Sequence, residues 1–144
     1  MSEDNGGGDL ASGGMVPPHH SMPHYHGDAV RALFVIGAIL VIVAQSTGAD
    51  LPLSTPGAVI SAVLLVIAAG ITNPAVIWIH WVNSFFAVYG TLLFGMTAVA
   101  HYRSGVSIFE PTFFYIEGIA LLSLMALYFT TRTIRGMSLR KNIS

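Results

Sequence analysis

With 9% charged and 53% hydrophobic residues, this chain of 144 residues is wrong for a soluble domain, where about a quarter of side chains carry charge. Its six Lys/Arg and seven Asp/Glu nearly cancel and lie mostly in the tails and between apolar runs, which argues against nucleic-acid binding. Cysteine is absent, which excludes disulfides, thiolate catalysis and cysteine-ligated metal or iron–sulfur centres.

Residues 1–28 are expected to form a disordered cytoplasmic tail. Glu3 to Gly14 is rich in Gly, Asp and Ser and has nothing from which to build a core. Pro17 to His26 follows, with His19, His20, Met22, His24 and His26 in eight residues. Imidazole and thioether suit copper, nickel or zinc. No carboxylate or cysteine spacing defines a coordination geometry, however, and the prolines oppose a regular scaffold. A flexible His-rich tail without a dedicated metal site is therefore the preferred reading, and no cofactor is expected. Gly27-Asp28 has the chemistry of a helix N-cap.

Four apolar stretches follow within residues 29–131, at about 30–45, 57–71, 76–100 and 113–131. The first two are short for a hydrocarbon core of roughly 30 Å, so Arg31 is expected to snorkel toward headgroups and 46–53 to sit in the interface. Ser46 to Gly57 carries turn residues leading into a helix start. Thr72-Asn73-Pro74 is a tight turn, so spans two and three are expected to form a close antiparallel hairpin. Glu110-Pro111-Thr112 announces the fourth helix. A signal peptide cleaved near Thr47-Gly48-Ala49 is a rival for span one, but the acidic leader with Glu3, Asp4, Asp9 and Asp28 opposes it.

Arg132, Arg135, Arg140 and Lys141 crowd past the last span in the basic tail 132–144, whereas the 46–56 loop has no Lys or Arg and the 101–112 loop only Arg103. By the positive-inside rule the C-terminus is cytoplasmic, and four spans put the N-terminus there too. The expected fold is an all-α membrane protein, an antiparallel four-helix transmembrane bundle in the plasma or inner membrane.

Within the third span, His80, Asn83, Ser84, Ala87, Thr91, Gly95 and Ala98 share one face at about 100° per residue, while Trp78, Val82, Phe85, Tyr89, Leu92, Leu93 and Met96 fall opposite. In a bilayer the small or polar face packs on neighbouring helices. Ala87, Thr91, Gly95 and Ala98 form the expected packing face. Glu117, about one turn into span four, is the most expensive residue in the chain and a functional candidate by default. Its candidate partners at that depth are Gln45, Thr97, His101 and Arg103. His80 lies near the opposite membrane surface, on the order of 20 Å away in depth, so the two cannot pair directly. His80 and His101 are about 30 Å apart on one helix and cannot share a haem iron.

No nucleophile elbow, zinc-protease motif, P-loop or paired-carboxylate motif is present. The expected role is a non-enzymatic accessory subunit, anchor or homo-oligomer working within the lipid bilayer or a larger membrane complex. The alternative is a small transporter or ion- and metal-handling protein using Glu117, Gln45 and the His80, Asn83 and Ser84 face.

Overall fold

The computed structural model describes residues 26–72 and 76–141, with side chains as far as 139. Four helices make up a bundle: α1 (Gly27–Ser46), α2 (Thr55–Ile71), α3 (Ile77–Arg103) and α4 (Pro111–Lys141). By length and composition α1, α3 and α4 could each cross a membrane, whereas α2 is apolar but only 17 residues long.

The helix ends follow from local chemistry. After α1, Gly48 takes the left-handed conformation (φ 75°), and the amides of Gly48 and Ala49 donate to the carbonyls of Gln45 and Ala44. After α3, Gly105 (φ 79°) and Val106 do the same to Tyr102 and His101. Both are Schellman closures, in which a residue free of a Cβ lets the chain turn back on the last carbonyls. The Ser54 hydroxyl accepts from the Gly57 amide to cap α2, with Pro56 in the first turn, where its missing N–H costs nothing. At α1 the N-cap position falls on His26, which makes no side-chain cap bond, and Asp28 sits inside the first turn. The expected cap is thus displaced by two residues, leaving the Asp28 carboxylate near the positive end of the helix dipole.

Two core clusters lie at different levels. One joins Val41 and Ala44 of α1, Ala58 of α2, Phe94 and Ala98 of α3, and Ile116, Ile119 and Ala120 of α4. The other joins Val30 and Phe34 of α1, Ala68 and Ala69 of α2, Ala87 of α3 and Ala126 of α4. Most buried apolar side chains are alanine, which lets helices approach closely. Large apolar residues point outward on every helix, among them Ile39, Ile60, Phe85, Met96 and Leu124.

The packing is uneven around the bundle. Helix α3 lies along α4, and α1 packs on both α2 and α4, but α2 and α3 barely touch. The close hairpin expected of spans two and three is therefore not formed along its length. The cause lies in the facing side chains. Gly90 of α3 meets Ser123 of α4 so closely that an added Cβ would lie 2.5 Å from the Ser123 Oγ. On the side of α2, the bulky Phe85, Phe86 and Tyr89 of α3 line a cleft with Leu64 and Leu65.

Helix α4 does not stop where the apolar stretch ends near Thr131 but continues to Lys141. No proline interrupts it, and Thr133 remains buried while Ile134 and Met137 are half-buried.

Candidate functional site

Three places in the bundle hold chemistry. At one end, Thr72, His80 and Asn83 are fully buried. Thr72 caps the C-terminus of α2, and His80 and Asn83 lie one turn apart on α3. The Thr72 hydroxyl donates to the Ala68 carbonyl (2.7 Å) and accepts from the Asn83 Nδ2 (2.8 Å). Because its single proton goes to Ala68, its oxygen must receive a donor, which orients the Asn83 amide. The Asn83 Oδ1 is buried with no hydrogen-bond partner among the described residues. Ser84 is half-buried. Nearby, the Arg31 Nε donates to the Ala69 carbonyl at 3.0 Å, and its guanidinium lies 3.6 Å from the Asp28 carboxylate. The arginine expected to reach toward headgroups thus also serves the last carbonyls of α2, where its charge matches the helix dipole.

At the other end, the Gln45 Nε2 donates to the Thr55 hydroxyl at 3.0 Å. The Gln45 Oε1 and His101 Nδ1 are buried with no hydrogen-bond partner among the described residues. Glu117 is half-buried. Of its candidate partners, Thr97 donates to the Leu93 carbonyl, Gln45 to Thr55, and Arg103 is exposed. Ile116 shares a core cluster with Phe94 and Ala98, whereas His80 lies 14 residues before Phe94 on the same helix. At 1.5 Å per residue, about 20 Å separates the two polar ends.

Between them runs the face of α3, where Ile79, His80, Asn83, Ala87, Gly90, Phe94 and Ala98 are buried. Of the expected packing residues, Ala87 and Ala98 are buried, while Thr91 and Gly95 are only half-buried. A Cβ added at Gly95 would meet nothing within 4 Å. Gly90 and Phe94 belong to the buried face and were not evident from polarity, because a large aromatic ring looks lipid-facing until a partner covers it.

The third place is the cleft between α2 and α3, about 280 Å³ in volume and lined by residues of all four helices. Phe34, Phe85, Phe86, Tyr89 and Phe94 supply aromatic walls, and Ser61 and Ser123 supply hydroxyls. The sequence held one signal for it, the Phe85-Phe86 pair one turn before Tyr89. Nothing local says that α2 stands off from that surface.

His19, His20, Met22 and His24 lie outside the described residues. The His26 ring packs on Phe129 with centroids 5.3 Å apart, and its Nε2 is buried with no hydrogen-bond partner among the described residues. Among the described residues no group of three or more His, Cys, Asp or Glu is placed to hold a metal ion. In comparisons with known proteins, no family model, no curated protein and no solved structure matches this chain.

Proposed function

We propose that this chain is a four-span integral protein of the cell membrane, an antiparallel bundle with both ends cytoplasmic, that acts without catalysis as an accessory, anchor or oligomeric component. The observation that carries the proposal is the distribution of side-chain size. Bulky apolar residues cover the outside of all four helices, while more than half of the buried apolar residues are alanine, with a few buried polar groups among them. In water that exterior would aggregate; in hydrocarbon it is the favourable arrangement. The two core clusters support antiparallel neighbours, since one joins the end of α1 to the start of α2 and the later part of α3 to the start of α4, and the other joins the start of α1 to the end of α2. Helix α2, about 25 Å long by its 17 residues, is at the lower limit for a span. Exposed Trp78, Trp81 and Tyr128 at one level, and Tyr102 and Phe109 at the other, match aromatic belts. The four C-terminal basic residues set the cytoplasmic side.

Among the described hydrogen bonds of the buried polar groups, Asn83 to Thr72 ties α3 to the end of α2, while the buried threonines return their protons to carbonyls one turn back in their own helix, which suits a packing role. A transport role has one observation in its favour: the half-buried Glu117 takes part in no hydrogen bond or ion pair among the described residues. Proteoliposomes containing the full chain and a pH-reporting dye separate the two. No proton or cation flux above protein-free vesicles, with Glu117→Gln indistinguishable from native, is the expected result. Native flux that Glu117→Gln abolishes would establish the transport reading instead.

A further inference from the structure

We propose that the cleft between α2 and α3 is a binding site for a lipid-soluble, ring-bearing molecule with carbonyl groups, its ring held inside the bundle and its hydrocarbon leaving through the gap between the two helices.

The inference rests on the four-span reading, and on three further observations. The first is size. A cavity of about 150 Å³ holds a benzene ring, and this one measures about 280 Å³. It therefore has room for a fused two-ring system or one heavily substituted ring, and is small for a larger ligand. The second is the wall. Phe85 and Phe86 sit edge to face with centroids 6.0 Å apart, and Phe34, Tyr89 and Phe94 line the same space. Aromatic faces and edges favour a flat π-system over a flexible chain of equal volume.

The third observation is polar. Serine and threonine in a membrane helix normally return their proton to a carbonyl three or four residues back. Thr91, Thr97, Thr130 and Thr133 do so here. The Ser61 and Ser123 hydroxyls, both on the cleft, make no hydrogen bond with the described residues. Ser123 is also pressed against Gly90, where only the missing Cβ leaves room for its oxygen. Two hydroxyl donors without acceptors among the described residues, on α2 and α4, in an apolar cleft, suit a ligand that brings acceptors of its own. Carbonyl oxygens on a flat ring meet that requirement. A saturated chain fills the volume but leaves both hydroxyls unanswered.

The test uses the full chain in phosphatidylcholine nanodiscs and 2-methyl-1,4-naphthoquinone as probe, titrated by calorimetry against protein-free nanodiscs. Saturable binding at one site per chain is expected, weakened about tenfold by the double variant Ser61→Ala/Ser123→Ala through loss of two modest hydrogen bonds. Decalin, of similar size but without carbonyls or π-system, should bind at least tenfold more weakly than the quinone. Unchanged quinone affinity in the double variant, or decalin binding as well as the quinone, would overturn the proposal, as would no saturable binding to native protein. Circular dichroism of both proteins confirms equal helicity. Failure here with a four-span topology intact would leave the membrane reading standing, since that is measured separately by side-specific labelling.

Discussion

A methyl group added at Gly90 would lie 2.5 Å from the Ser123 hydroxyl oxygen and 3.2 Å from its Cβ, whereas one added at Gly95 would meet nothing within 4 Å. Both glycines stand on α3, five residues apart, and polarity alone favoured Gly95 as the packing residue. Periodicity fixes a helical face only to within a few tens of degrees, and the atom that decides between the two belongs to another helix. Gly90→Val should lose about 1–3 kcal/mol by overpacking, measured by denaturation in mixed micelles, with much of the loss recovered in a Ser123→Gly background. Gly95→Ala should be neutral or gain up to about 1 kcal/mol from helix propensity. The Asn83–Thr72 bond was less legible still: Asn83 was a candidate, but Thr72 lay in what reads as a turn. A double-mutant cycle of Asn83→Ala and Thr72→Val should give a coupling of about 0.6–1.7 kcal/mol, the range of interhelical hydrogen bonds in membrane proteins.

The end of α1 and the start of α2 were the best-written element boundaries. Thr47-Gly48 and Ser54 with Pro56 close or open a helix by chemistry confined to a few residues, so sequence is enough there, whereas α3 runs past the expected end near 100 to close at Ser104-Gly105. The end of α4 was not so written, because hydropathy marks where a span stops and says nothing of where the backbone stops being helical. The C-terminus of α2 depends on a residue 38 positions away, the Arg31 guanidinium on the Ala69 carbonyl. That contact predicts a local effect. Arg31→Leu should raise amide exchange in the last turn of α2 several-fold, equivalent to about 1 kcal/mol of lost capping and dipole stabilisation, while α3 exchanges as before. Equal changes in both helices would mean that Arg31 stabilises the bundle as a whole.

For the whole molecule, composition and four apolar runs were enough to anticipate an all-helical bundle, because burial in lipid demands long uninterrupted helices. Which helices embrace was not legible. Consecutive α2 and α3 were expected to pair, yet α3 lies along α4 and α1 bridges α2 and α4. The outcome turns on the Gly90–Ser123 contact and on the aromatic residues facing α2, matters of fit between helices that no single stretch encodes. The same unevenness leaves the cleft between α2 and α3.

Because the chain contains no cysteine, the topology is open to direct measurement by single-cysteine variants and a membrane-impermeant maleimide. In intact cells Asp50→Cys and Ser107→Cys, both exposed in the loops after α1 and α3, should label. Ser12→Cys and Ser138→Cys should label only after the membrane is permeabilised. Labelling of Ser107→Cys and Ser138→Cys from the same side would show that α4 does not cross the bilayer, and would contradict the four-span account.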